Sequence, residues 1–300
     1  MKIFSGLSNQ KLSSKIAGQL GTKLSKIELG HFANGELKIR IAEEVEGQKC
    51  IVVQSFSRPC NEHIVEFLLI TDALYRLGAD KILAVIPWMA YSPQDKVFRK
   101  GEPLSAKVIG SIVSGSLVDR IFTFDIHNES IAGFFSKPLE HLSGDMLFVK
   151  YISKNINLKN AVIVSPDFGA IKRSRIFANT LDLDHLIIDK TRDRKNGKVS
   201  IVGISGSVKG KDCFIFDDFI STGQTAIIIA EKLKQWGAGK VIFSATHHFN
   251  VDGVSKKLQE SKIDEVLISD TIDTVNLDKF SKIKVLTTAK IIGKNLKKWI

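Results

Sequence analysis

The run Phe214-Ile215-Phe216-Asp217-Asp218-Phe219-Ile220-Ser221-Thr222-Gly223-Gln224-Thr225 constrains the fold more than any other part of the chain. Consecutive apolar residues read as a buried strand, two adjacent carboxylates close it, and a short loop of small and hydroxyl residues follows. Residues 226–236 then read as a helix with mostly apolar and some charged positions. A strand that turns directly into a helix is half of a βαβ unit, so a sheet with helices packed against it is expected. The loop N–H groups and hydroxyls stand at a helix N-terminus, where unpaired donors and the helix dipole favour a phosphate. The carboxylates before the loop can accept hydrogen bonds from sugar hydroxyls or hold a divalent cation. A phosphosugar fits both features, and an ordinary acidic turn after a buried strand is the bland alternative.

The same alternation runs along the whole chain. Strand-length apolar runs at residues 50–53, 82–86, 121–124, 161–164, 186–188, 214–216, 241–244 and 266–269 alternate with longer amphipathic segments, the pattern of a parallel α/β protein. The halves echo each other. Lys49-Cys50-Ile51-Val52-Val53-Gln54-Ser55 parallels Asp212-Cys213-Phe214-Ile215-Phe216-Asp217-Asp218, and a helix follows each. Matching punctuation comes next, Leu77-Gly78-Ala79-Asp80-Lys81-Ile82 against Trp236-Gly237-Ala238-Gly239-Lys240-Val241. Each glycine is expected to cap its helix, with the next strand starting directly after. Two matched landmarks favour duplication. The expected layout is one domain over residues 1–140, a second carrying the phosphate loop over 141–285, and a tail, 286–300, that returns to the first. Only the second half keeps the acid pair and loop; the first has Gln54-Ser55-Phe56-Ser57-Arg58-Pro59-Cys60-Asn61 there.

Three hundred residues are enough for two domains with their own cores, and 44% apolar residues with six prolines exclude a disordered or low-complexity chain. No apolar stretch is long enough to span a bilayer and the first residues lack a secretory apolar core, so no membrane partner is expected. Cys50, Cys60 and Cys213 have no metal-ligand spacing and suit buried thiols in a reducing cytoplasm. The formal charge of +11 suits polyanionic ligands, but its lysines are spread through the chain, which favours a solvated face over a nucleic-acid groove.

The loop with its acid pair resembles the 5-phosphoribosyl 1-diphosphate (PRPP) binding motif, with Gln224 where a second glycine is common. Two such domains in tandem, one with an altered ligand site, resemble the ribose-phosphate pyrophosphokinase family over nearly the whole chain. The resemblance implies an α/β fold of two tandem phosphoribosyltransferase-like domains, each a mainly parallel sheet flanked by helices. It implies that Ser221, Thr222, Gly223, Gln224 and Thr225 hold the phosphate of ribose 5-phosphate while Asp217 and Asp218 face its ribose hydroxyls. Phe32-Ala33-Asn34-Gly35-Glu36 reads alone as a β-turn, but is similar to the family's Phe-x-Asp-Gly-Glu loop. Phe32, Asn34, Gly35 and Glu36 are therefore candidate ATP contacts, Phe32 able to stack on the purine and Asn34 and Glu36 able to accept from its amine. Gln94, Asp95 and Lys96 match a second ATP-binding segment, in which Pro93 replaces an arginine and brings neither guanidinium nor N–H. Lys96 or Arg99 could supply that charge.

His127 ends a strand in Phe124-Asp125-Ile126-His127-Asn128 and resembles the family's contact to Mg²⁺ and the triphosphate, which for an imidazole would run partly through water. Asp167, in Ser165-Pro166-Asp167-Phe168-Gly169-Ala170, matches the carboxylate that positions Mg²⁺ and ribose; by itself it could be a helix cap. Lys190 and Arg192 read alone as part of an exposed basic stretch. They match a Lys-x-Arg pair beside the reacting phosphates, suited to charge that develops in phosphoryl transfer, and Arg192 is also a candidate ribose 5-phosphate contact.

The implied activity is that of a ribose-phosphate diphosphokinase, with Mg²⁺ as cofactor, ATP and ribose 5-phosphate as substrates, and PRPP and AMP as products. A homo-oligomer, a dimer or a hexamer of dimers, is implied as well. A phosphoribosyltransferase would share residues 221–225 but leave the duplicated half and the Lys190/Arg192 pair without a use. A non-catalytic sensor of PRPP or nucleotides is the other alternative; Pro93 and Asn34 favour it, while His127, Asp167, Lys190 and Arg192 oppose it.

Overall fold

The computed structural model describes residues 1–192, 199–251 and 253–300, with side chains described for all of these except 191, 192, 199 and 200. The chain divides into two units, Met1–Ser143 with Asp270–Asp273 and Thr287–Ile300, and Gly144–Ser269 with Thr274–Leu286. The breaks fall at 143/144 and 286/287, against the expected 140/141 and 285/286, and the first unit also takes in Asp270–Asp273.

In the first unit the order is β1 (Lys2–Ser5), α1 (Gln10–Gln19), β2 (Ile27–His31), β3 (Leu37–Ile41), β4 (Lys49–Val53), α2 (Cys60–Arg76), β5 (Lys81–Ile86), α3 (Ser105–Gly115), β6 (Arg120–Phe124) and β7 (Leu139–Leu142). Five strands form one sheet, β1-β4-β5-β6-β7, with every neighbouring pair parallel, while β2 and β3 form a separate antiparallel hairpin. Strand residues alternate between two cores. Cys50, Val52, Ile82, Ala84 and Ile86 face Phe67, Ile70 and Leu74 of α2; Ile51, Val53, Leu83 and Val85 face Leu12, Ile16 and Ala17 of α1. Burial on both faces is why β4 and β5 read as continuous apolar runs.

The second unit repeats this sequence of elements. After α4 (Asp145–Asn155) come β8 (Ala161–Ser165), α5 (Ile171–Leu181), β9 (Asp184–Arg192), β10 (Val199–Ile204), β11 (Asp212–Ile220), α6 (Gln224–Gln235), β12 (Val241–His248), α7 (Val254–Glu260), β13 (Glu265–Ser269) and β14 (Ile283–Leu286). The sheet order is β10-β9-β8-β11-β12-β13-β14, parallel throughout except for β10 against β9. The last helix, α8 (Ala289–Leu296), belongs to the first unit, where Ala289, Ile292 and Leu296 join the α1 core. A Cβ on Gly293 would come within 2.7 Å of Gln19 Cβ, so α1 and α8 meet at a position that only glycine fits.

The two glycine landmarks are near-copies. Gly78 and Gly237 have φ of 77° and 83°, and each closes its helix with the same pair of bonds. Gly78 N donates to Tyr75 O and Ala79 N to Leu74 O; Gly237 N donates to Lys234 O and Ala238 N to Leu233 O. No helix among the described residues is long and apolar enough to cross a membrane.

Candidate functional site

The second unit's site arises from strands of unequal length. β8 pairs with β11 only as far as Val164 opposite Ile215, and with β9 only as far as Ser165 opposite Ile187. Both neighbours continue past it, and β11 stays paired with β12 to Ile220 opposite His248. Asp217 and Asp218 therefore lie within a strand, not after its end as the sequence suggested, because β12 goes on supplying ladder bonds where β8 has stopped. The loop leaving β8 carries Asp167 into the resulting notch. Lys190 Nζ, from the overrun of β9, donates to Asp167 Oδ2 at 2.5 Å, and Asp167 Oδ1 accepts from Ala170 N at 3.0 Å. Asp167 is therefore not the cap of α5, whose N-cap is Ala170 with no side-chain cap bond; one of its oxygens braces the loop and the other pairs with Lys190. The Arg192 side chain falls outside the described residues.

The two acids have different surroundings. Asp218 Oδ1 accepts from Arg173 Nη1 at 2.7 Å, an ion pair in which both side chains are mostly buried. Asp217 Oδ1 accepts from Asp218 N at 2.8 Å. Burial, and after it the Asp218 carboxylate, push the Asp217 carboxyl up to about 7; Asp167 adds to the rise, while the Asp218 N–H and Lys190 oppose it. Arg173 was not among the expected site residues. In sequence it belongs to the basic stretch Ile171-Lys172-Arg173-Ser174-Arg175, which looks like an exposed helix face.

Beyond the acid pair, Ser221, Thr222 and Gly223 form the loop and Gln224 and Thr225 open α6. Gly223 takes the left-handed conformation, φ 73°, and a Cβ there would sit 3.0 Å from Val254 Cγ2. Gln224 has no positive φ to adopt, so the missing second glycine leaves the loop intact. Gln224 N lies 3.5 Å from Thr222 Oγ1, and the first-turn N–H groups of α6, with the hydroxyls of Ser221, Thr222 and Thr225, give a donor-rich surface suited to a phosphate.

The remaining candidates lie in the first unit. Phe32, Asn34, Gly35 and Glu36 form the tip of the β2–β3 hairpin, where Phe32 N donates to Glu36 O and Asn34 Oδ1 accepts from Glu36 N. All four are exposed, Phe32 at 51%. Gln94 Oε1 accepts from Ser105 Oγ at 2.7 Å and Gln94 O from Ala106 N, so this residue anchors the start of α3. Lys96 is exposed. Asp95 Oδ2 accepts from Asn128 Nδ2 at 3.2 Å, which ties this loop to the one that carries the exposed His127. Pro93 sits in a turn closed by Gln94 N donating to Tyr91 O, with Tyr91 at φ 65°.

Among the described residues no three His, Cys, Asp or Glu side chains converge as a ready metal cage. His127 and Asp167 belong to different units. The donors near Asp167 are hard carboxylate oxygens, and Asp217 beside them is raised first by burial and then by the Asp218 carboxylate. That donor set suits Mg²⁺, which binds through one or two carboxylates and completes its shell with water and substrate phosphates.

Two family models match the chain: the N-terminal domain of ribose phosphate pyrophosphokinase over residues 1–115, and the phosphoribosyl synthetase-associated domain over residues 188–299. The chain is 38% identical to the ribose-phosphate pyrophosphokinase of Caldanaerobacter subterraneus subsp. tengcongensis, over 98% of this chain and 92% of that one. It is also 38% identical to the enzyme of that name from Buchnera aphidicola, over 99% of this chain and 95% of that one. The crystal structure of phosphoribosylpyrophosphate synthetase from Mycobacterium smegmatis matches with a TM-score of 0.91 at 32% identity, covering 99% of this chain and 97% of its own.

Proposed function

The chain belongs to the ribose-phosphate pyrophosphokinase family and is an enzyme of that activity, and we propose the following division of labour among its residues. Ribose 5-phosphate binds in the second unit, its phosphate on Ser221, Thr222, Gly223, Gln224 and Thr225 and its hydroxyls toward Asp217. The C1 hydroxyl attacks the β-phosphorus of ATP in line, and AMP leaves. Lys190 and Arg192 face the transferred pyrophosphoryl group. Catalysis is then positioning plus electrostatics, with no covalent intermediate.

The observation that carries this is the meeting of Lys190 and Asp167 at 2.5 Å in the notch beside the acid pair and the phosphate loop. A cation held by a carboxylate is kept aimed and can be released toward phosphate oxygens when substrate enters. Asp167 would hold Mg²⁺ together with substrate phosphates, with His127 reaching the triphosphate through water. When bound, the ion supplies charge neutralisation at the phosphates. Phe32, Asn34, Gly35 and Glu36 would take the adenine, and Gln94, Asp95 and Lys96 the rest of ATP. The exposure of the hairpin tip suits a nucleotide site completed by a second copy, in keeping with the homo-oligomer expected. The three unpaired cysteines suit a cytoplasmic setting.

Formation of AMP from ATP, followed with and without ribose 5-phosphate, tests the function. Strict dependence on ribose 5-phosphate is expected. A phosphoribosyltransferase would instead consume PRPP and release pyrophosphate, and a sensor would turn over neither.

A further inference from the structure

Arg173 has no part in the mechanism above, yet its guanidinium, with the side chain only 18% exposed, ties two other elements, α4 and β12, to the acid pair. Nε and Nη2 both reach Asp145 Oδ1 on α4, at 2.8 and 2.7 Å. Nη1 donates to Asp218 Oδ1 at 2.7 Å and to the Asp217 carbonyl oxygen at 3.3 Å, both on β11. Nη2 donates to Thr246 Oγ1 on β12 at 3.1 Å. Arg173 is in the first turn of α5, directly after the loop that carries Asp167.

A guanidinium fixes its partners in a plane, as a lysine ammonium cannot. The bonds to Asp218 and to the Asp217 carbonyl set both the side chain of one acid and the backbone of the other. They also offset part of the charge on Asp218, one of two adjacent carboxylates that repel. Asp145 anchors the far side of the same guanidinium and does not touch the acid pair itself in these bonds.

We propose that Arg173 is a positioning residue for the sugar: it locks Asp218 and the backbone of Asp217, so that the Asp217 carboxylate meets the ribose hydroxyls at a fixed angle. Arg173 thereby sets the preference for ribose over 2-deoxyribose phosphates. This rests on the assignment of the ribose site to the second unit. A residue that only pinned α4 and α5 to the sheet would affect folding and all ligands alike.

The test is calorimetric titration of the full-length enzyme with ribose 5-phosphate and with 2-deoxyribose 5-phosphate. Wild type should prefer the former by about fivefold or more, the scale of one or two hydrogen bonds. In Arg173→Met the preference should fall below about twofold, while the Michaelis constant for ATP stays within about twofold. Arg173→Lys, which keeps the charge and is the safer variant for folding, should lose most of the preference too. Asp145→Asn should lower the melting temperature but keep the sugar preference. Wild-type preference retained in Arg173→Lys and Arg173→Met, or lost equally in Asp145→Asn, overturns the role of Arg173 while leaving the ribose site standing. Equal binding of both sugars by wild type overturns the ribose-site assignment itself, and this proposal with it.

Discussion

The stretch from β4 to β5 and the stretch from β11 to β12 share a scaffold nearly bond for bond, and they differ where a ligand would sit. Gly47 N donates to Gly78 O as Gly210 N donates to Gly237 O, each at 2.8 Å. Ile82 N donates to Asp119 Oδ2 as Val241 N donates to Asp264 Oδ2, each at 2.7 Å. The sheet orders β1-β4-β5-β6-β7 and β8-β11-β12-β13-β14 correspond strand for strand. At the end of the shared strand the resemblance stops. Gln54 is fully buried, its Oε1 accepting from Ser8 Oγ and its Nε2 donating to Glu66 Oε1, and Ser55 Oγ donates to Thr271 O. Asp217, at the matching place, keeps its carboxylate in a partly open notch against its own electrostatic interest. One copy has converted its strand end into internal hydrogen bonds. The other keeps polar groups available, which is what a ligand site requires.

The antiparallel pair that follows α1 in one unit and α5 in the other differs in a related way. In the second unit β9 joins the main sheet through β8 and delivers Lys190; in the first, β2 and β3 stand as a separate hairpin. Lys190→Ala should break the comparison most strongly. Turnover should fall by about 10²–10³, with ribose 5-phosphate affinity and melting temperature nearly unchanged, since the cation acts on charge that develops during transfer. Steady-state kinetics beside calorimetry checks this, and turnover within threefold of wild type would remove Lys190 from the mechanism.

The glycine landmarks offer a symmetrical test of smaller size. Gly78→Ala and Gly237→Ala each force a left-handed residue, and the nearest atom each new Cβ meets is a flexible side-chain carbon, Glu46 Cγ at 3.3 Å and Lys209 Cγ at 3.4 Å. Each should cost about 1–2 kcal/mol in denaturant unfolding and the two should agree within about 0.5 kcal/mol. A large inequality would mean that the duplicated scaffolds are not energetically equivalent.

Asp217→Asn tests the same contrast through pH. The folded-state carboxyl is raised from 3.8 to about 7, so the folded chain holds this proton more tightly than the unfolded chain. The stability contributed by the protonated form is complete below about pH 4 and lost as pH rises through 7. Metal-free Asp217→Asn should therefore melt above wild type at pH 8, with the gap closing toward pH 4.

What the sequence made legible follows from burial. The eight expected strands are present, and all but the β9 run, whose Leu186 and Ile187 are half-buried, are covered on both faces and so written as continuous apolar runs, such as Val162, Ile163 and Val164. Edge and hairpin strands were not anticipated: Leu139–Leu142, Ile283–Leu286 and Ile27–His31 are short, half-exposed and mixed in polarity. The overruns of β9 and β11 escaped notice for a similar reason, since acids and lysines at a strand end look like a loop until the neighbouring strand is known to continue. The acid pair, its loop and Asp167 were visible as local motifs. Arg173 was not, because what distinguishes it is a set of partners at positions 145, 217, 218 and 246, brought together only by the fold.

The central claim is that one copy of the duplicated strand end binds the phosphosugar and the other is structural. Calorimetric titration of ribose 5-phosphate into wild type, Thr225→Val and Gln54→Ala tests it directly. The expected result is affinity weakened by about 5- to 100-fold in Thr225→Val, the scale of about 1–3 kcal/mol for an unmet phosphate bond. Gln54→Ala should lose stability by a similar amount while binding as wild type does. Weakened binding in Gln54→Ala with Thr225→Val unaffected would contradict the account.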